Sequence, residues 1–142
     1  MTEGLDLAFA QAIVEQTNQT RLASGVTALA QHPALVAAAE EYADLHAHLS
    51  PDRLDHCLNG STIDSRANAE GYAGWTFLGE NLVWSTFDPS LSAQNLVQEW
   101  LNSPAHRDNM LNPTVSETGV GCYVSAVERP FIICVQDFGA RA

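Results

Sequence analysis

The 142-residue chain contains no lysine: its only basic side chains are six arginines, set against 17 acidic residues for a formal charge of −11. A field of that sign repels phosphate backbones and anionic membrane surfaces, which excludes nucleic acid as a natural partner and favours cations. The same surplus serves solubility alone in many proteins. Long apolar runs are missing too. The longest, around Leu35 to Ala39 and Phe131 to Val135, are far shorter than a membrane-spanning helix, so no transmembrane segment is expected. The start, Met1-Thr2-Glu3-Gly4-Leu5-Asp6, lacks the basic and apolar regions of a secretory leader. Two readings follow: a cytoplasmic protein, or one whose leader was exchanged for an initiator methionine. Cysteine is scarce, and three thiols, Cys57, Cys122 and Cys134, allow at most one internal disulfide. No nucleophile elbow, catalytic Cys-His pair or His-Glu-x-x-His helix is present.

What is present is enough for a core. With 46% hydrophobic and 16% charged residues, the chain reads as one folded domain over 1–142, expected as a monomer. Three- and four-residue spacing of Leu5, Phe9 and Ile13 predicts a helix from Leu5 to Leu22 that ends near Ser24-Gly25. His32-Pro33 opens a second helix whose stripe is Leu35, Ala38, Ala39, Tyr42, Leu45 and Leu49, stopped by Ser50-Pro51. Residues 52–79 read as a long loop interrupted by a short helix at Ile63 to Glu70, and loops of that length usually carry function. A short strand is expected at Glu80 to Ser85, a third helix capped by Ser90 or Ser92, and a fourth from Ser103-Pro104 to Asn112-Pro113. Thr118 to Ala126 and Phe131 to Phe138 form a hairpin that sets Cys122 opposite Cys134. These two are either bridged, for about 3 kcal/mol, or packed as reduced thiols. Helices first and strands last indicate an α+β layered fold.

The residue types that bind a divalent metal or move protons near neutral pH sit in the middle of the chain: His56, Glu80 and His106. Glu80 is a candidate acid-base carboxylate, and its plainer reading is a hydrogen bond to buried backbone or to His56. Asp55 caps or orients beside His56. Ser103 is expected to cap the helix that carries His106, whose position near the positive helix end favours a neutral ring. Arg107 and Asn109 are expected to tie that helix to the acidic loops. His46 and His48 are explained by the helix C-terminal dipole, and Trp75, Trp84 and Trp100 by core and cleft-wall packing. Cys57 is a weak candidate ligand.

The order of motifs resembles the CAP superfamily, the SCP-like domain of antigens, pathogenesis-related proteins and cysteine-rich secretory proteins, in its compact bacterial form. The marks are Asn18 to Arg21, Leu35 to Ala43, Asp55-His56, Arg66, Gly71-Tyr72, Gly79-Glu80-Asn81-Leu82, Trp100 to Leu111, Gly119-Val120-Gly121 and Gln136-Asp137-Phe138-Gly139. The resemblance implies a three-layer α-β-α sandwich with a small antiparallel sheet. It implies a surface cleft of His56, Glu80, His106 and, where relatives carry a second glutamate, Ser103. Secretion or a periplasmic location is implied as well. The reading that results is a zinc or other divalent metal ion held by His56 and His106 with help from Glu80. The alternatives are a hydrolase using Glu80 and a histidine, and a module that binds lipid, sterol, peptide or protein.

Overall fold

The computed structural model describes residues 2–142. In chain order the elements are β1 (Gly4–Leu5), α1 (Leu7–Ala23), β2 (Ala30–Gln31), α2 (Pro33–Leu49), α3 (Ile63–Ala69), β3 (Trp75–Thr86), α4 (Ala93–Leu101), α5 (Pro104–Met110), β4 (Glu117–Ser125) and β5 (Phe131–Arg141), with a 3-10 turn at Leu58–Gly60. β5 lies between β3 and β4, antiparallel to both, while β1 and β2 pair with opposite ends of β4. β3 is therefore an edge strand.

Alternation along the strands makes two apolar faces. Leu82, Tyr123, Ile133 and Val135 pack against Ala39, Tyr42, Ala43 and Ala47 of α2. Val83, Val120, Ile132 and Phe138 pack on the other face, against Ile13 and Val14 of α1, Leu96, Val97 and Trp100 of α4 and Met110 of α5. This is the α-β-α sandwich that the family resemblance implies. Each fully buried Leu, Ile or Phe side chain contributes about 1.5–3 kcal/mol of transfer free energy.

Two glycines determine how closely α2 lies on the sheet. A Cβ at Gly119 would stand 2.1 Å from the Leu35 carbonyl carbon, and one at Gly121 would stand 2.5 Å from Glu40 Cα. The neighbours are helix backbone, which cannot swing aside. The Gly119-Val120-Gly121 motif is thus a seat for α2, with Val120 turned to the opposite core. Cys122 and Cys134 are opposite one another in the hairpin, as the symmetric pairing required, and their sulfurs are bonded.

Several boundaries differ from the sequence reading. α1 begins at Leu7 because Asp6 caps it, accepting the Phe9 amide at 2.9 Å, and Gly4–Leu5 joins the sheet instead. β3 extends back to Trp75 because β5 continues to Arg141 and supplies partners for it. That pairing, invisible in local spacing, shortens the predicted loop. Leu49, placed in the core stripe, is 56% exposed at the end of α2.

Gly119→Ala should cost at least about 3 kcal/mol, the upper range for overpacking, because α2 must lift as a unit. Chemical denaturation measures it, and a loss under about 0.5 kcal/mol would contradict the seat.

Candidate functional site

The site is organised around one buried ion pair. Glu80 points from β3 toward the α2 side of the sheet, and its side chain is only 2% exposed. Arg66 reaches it from α3, a short helix started by a capping box in which Thr62 and Ser65 bond each other's backbone amides. Nη2 of Arg66 donates to both Glu80 oxygens at 2.7 Å. Nη1 donates to the His56 carbonyl at 3.0 Å and to Ser61 Oγ at 2.8 Å. The guanidinium also stacks on the Tyr42 ring, 3.5 Å from its centroid, so a cation and an aromatic face share the burial. Burial pushes the Glu80 carboxyl upward, but the hydrogen bond from His56 and the charge and hydrogen bonds of Arg66 outweigh it and hold Glu80 below the usual carboxylate range.

The segment carrying His56 is largely exposed and has little regular structure, so side chains must fix it. α2 does so at Asp55. Its amide donates to Nε2 of His46 at 2.9 Å, and its carbonyl accepts the Tyr42 hydroxyl. Tyr42 oxygen also accepts the Leu58 amide at 3.1 Å. The Asp55 carboxylate orients the turn as expected, accepting the Cys57 amide at 2.7 Å. His56, with its side chain 54% exposed, brings Nδ1 to 2.9 Å from Glu80 Oε1. His46 is therefore not a surface residue answering the helix dipole: it is fully buried and clamps the His56 segment. His48 fits the dipole reading, exposed at the end of α2 with Nδ1 2.8 Å from the Asp44 carbonyl, a contact that raises its pKa.

His106 approaches from α5, on the other side of β3. Ser103 occupies the cap position by backbone conformation but makes no side-chain bond to the helix amides. Its hydroxyl lies 2.9 Å from His106 Nδ1 instead, so it orients the imidazole rather than capping. Asn81, whose side chain leaves β3 on the opposite face from Glu80, donates to the His106 carbonyl at 3.1 Å and accepts from Asn109 at 3.0 Å. Asn109 reaches the Glu80 carbonyl at 3.3 Å as well. Consecutive residues of one strand thus hold the two histidine-bearing segments, Glu80 on one face and Asn81 on the other. The far end of α5 is fixed by buried Arg21, whose Nη1 bonds the carbonyls of Met110 at 2.7 Å and Asn112 at 3.0 Å. Desolvation, and then repulsion from His56, lowers the His106 pKa.

The expected set is thus assembled in part. Glu80 meets His56 but does not meet His106, and its oxygens are turned to Arg66. Among the described residues no three His, Cys, Asp or Glu side chains are arranged to hold a metal ion. The expectation that Glu80 acts as a free acid-base carboxylate meets a specific obstacle, because both oxygens are already bonded and buried. Neither Arg107 nor Asn109 ties α5 to acidic loops: Arg107 is exposed and forms no ion pair among the described residues, and Asn109 ties α5 to β3 instead, through the Glu80 carbonyl and the Asn81 side chain. Cys57 is free and exposed. Trp100 is core, its Nε1 bonded to the Leu82 carbonyl at 2.9 Å, whereas Trp84 is 39% exposed and stacks on Phe131. The sequence reading gives Arg66, Tyr42, His46 and Asp137 no part in the site: it assigns Tyr42 to the core stripe of α2 and His46 to the helix dipole, while Arg66 and Asp137 serve only as marks of the resemblance. Arg66 had a usable signal as one of six cations available to a buried carboxylate, and Tyr42 and His46 stand four apart on one helix face.

The profile of the cysteine-rich secretory protein family, CAP, matches residues 14–138. Among curated protein sequences none matches significantly. Among solved structures, an outer surface protein of Borrelia burgdorferi superposes with TM-score 0.80 at 18% identity, over 99% of this chain and 100% of that one. An extracellular SCP-domain protein of Bacillus anthracis gives 0.73 at 21% identity, over 94% of this chain and 41% of that longer one. NaASP2, solved with Zn2+, gives 0.57 at 15% identity, over 94% and 80%. At such identities these likenesses concern the fold.

Arg66→Met should destabilise the protein by about 3–5 kcal/mol, because it strands a buried carboxylate, and adding Glu80→Leu should recover most of the loss. Equal loss in the single and double variants by denaturation would contradict the pairing. In an NMR titration His106 should titrate below ordinary histidine, and His56→Ala should raise its midpoint only in part, since burial is the larger cause. A midpoint at or above the ordinary value would contradict this placement.

Proposed function

The chain belongs to the CAP family of cysteine-rich secretory proteins, and on that premise we propose that its cleft binds a divalent cation, zinc first, through His56 and His106. The observation that carries the reading is the matched treatment of the two rings. Nδ1 of His56 is engaged by Glu80 and Nδ1 of His106 by Ser103, and neither Nε2 has a hydrogen-bond partner among the described residues. A carboxylate on Nδ1 keeps the proton there, leaves the Nε2 lone pair for a metal and raises its basicity. The depressed pKa of His106 keeps that ring neutral at neutral pH, the form that coordinates.

The donor set suits zinc in kind and is sparse in number. Two imidazoles are fewer than the three protein ligands typical of catalytic zinc or the four of structural sites, so solvent or a ligand's own donors would complete the shell. Affinity is accordingly modest. When bound, zinc would supply a Lewis acid in an open position. Ser103 sharpens the point, since a hydroxyl can donate or accept and does not dictate the His106 tautomer as a carboxylate would. That NaASP2 was solved with Zn2+ on a similar fold supports the choice of metal. Nothing in the cleft favours the hydrolase reading, because Glu80 is bonded and buried.

One observation supports a second reading, an apolar ligand. A groove of about 410 Å³ lined by Thr2, Leu5, Asp6, Leu7, Phe87 and Val124 leaves Leu5, Leu7 and Phe87 exposed. Lipid extraction and mass spectrometry of purified protein would reveal a bound acyl chain. The Cys122–Cys134 bond supports residence in an oxidising compartment, outside the cell or in the periplasm. No helix is long and apolar enough to cross a membrane among the described residues.

Zinc titration calorimetry should show binding that disappears in the His56→Ala, His106→Ala double variant, weakens about 10–100-fold in Glu80→Gln, and tightens in Ser103→Glu. Undiminished affinity in the double variant would refute the site.

A further inference from the structure

Asp137 is a titratable group that the cation reading leaves unused. It stands opposite Glu80 in the β3–β5 register and opposite Gly119 in the β4–β5 register, fully buried on the side of the sheet that α2 covers. Neither carboxyl oxygen receives a hydrogen bond from any donor among the described residues. The groups facing it are few. β3 presents Glu80, its direct partner across the β3–β5 ladder; α3 presents Arg66; β4 presents Gly119, without a side chain. Tyr42 of α2 lies beyond Glu80 and Arg66 with its hydroxyl committed to Asp55, and His56 lies beyond Glu80 on its exposed side. An ionised Asp137 would be a buried anion without a donor, beside a second anion whose cation is already engaged. Born and Coulomb terms both oppose that state.

We infer that Glu80 and Asp137 hold one proton between them, so that Asp137 is a neutral acid donating a hydrogen bond to Glu80 and thereby positions the carboxylate that orients His56. With Asp137 neutral, one negative charge faces one guanidinium, and the buried cluster is balanced. The direction of titration agrees: burial first, and then the Glu80 charge, raises Asp137 well above the ordinary aspartate range. An acid whose folded pKa is raised binds its proton more tightly folded than unfolded. Its contribution to stability is therefore greatest in acid and declines as pH rises above the unfolded aspartate value. Asp137 is a positioning residue, acting through Glu80, and the inference stands whether or not the cleft binds zinc.

The test uses metal-free protein. Infrared difference spectra at neutral pH between wild type and Asp137→Asn should contain the carbonyl stretch of a protonated carboxylic acid, present in wild type and lost in the variant. Glu41→Gln is the control, because the neighbouring Glu70 also raises the Glu41 carboxyl, which could carry such a band. In parallel, the denaturation midpoint of Asp137→Asn should move above that of wild type as pH rises from acid to neutral, with the difference shrinking in acid. The amide retains the donor, so His56 Nδ1 should keep its NMR shift in Asp137→Asn and lose it in Asp137→Ala. A wild-type spectrum without the acid band, or a band that survives Asp137→Asn and vanishes in Glu41→Gln, overturns the inference. A pH-independent stability difference does so as well.

Discussion

The structure around the cleft depends on the Arg66 guanidinium. In a chain with six arginines, two lie inside: Arg21 under α5, and Arg66 between the Tyr42 ring and the Glu80 carboxylate, with a second nitrogen on the His56 carbonyl. Without Arg66, Glu80 is a buried anion, and the exposed His56 segment loses the contact that links it to α3. A buried pair of this kind is weak evidence for net stability, because desolvating both ions offsets most of their attraction. Its value here is geometric: it fixes where one carboxylate points.

From that fixed carboxylate the polar contacts extend along both faces of one edge strand. Glu80 serves the α2 side and His56; Asn81, one residue on and facing the other way, serves α5 and His106. Asn81 continues inward to Gln136, and Gln136 to Thr17 of α1, at 3.3 and 2.8 Å, so the polar path is bonded from the edge strand to α1 on one side of the sheet. The close seating of α2 on Gly119 and Gly121 helps exclude water above Asp137. Packing therefore shapes the electrostatics of the site, and a change at a glycine seat would reach the cleft without touching a histidine.

Much of this was legible in the sequence, and the limits are physical. Helical periodicity, Pro33 and Pro104 at helix starts, and the valine- and isoleucine-rich hairpin located the layers. His56, Glu80 and His106 were found by residue type and motif order, and the plainer reading of Glu80 as a partner of His56 is what the fold contains. Burial was not legible: nothing local distinguishes His46 at the centre of a clamp from exposed His48 two residues on. Nor does spacing reveal that the Ser103 hydroxyl turns to an imidazole instead of the helix amides, or that Arg66 takes both oxygens of a glutamate fourteen positions away. These depend on long-range register, which pairs Glu80 with Asp137 and extends β3 to Trp75.

The central claim is that the cleft offers two imidazole Nε2 atoms to a cation while Glu80 stays bound to Arg66 behind them. A crystal structure of the zinc-soaked protein, with anomalous scattering at the zinc edge, tests it most directly. A zinc peak is expected roughly 2.0–2.1 Å from Nε2 of both His56 and His106, with the Arg66–Glu80 pair intact. Zinc bound elsewhere, or held by a Glu80 that has left Arg66, would contradict it.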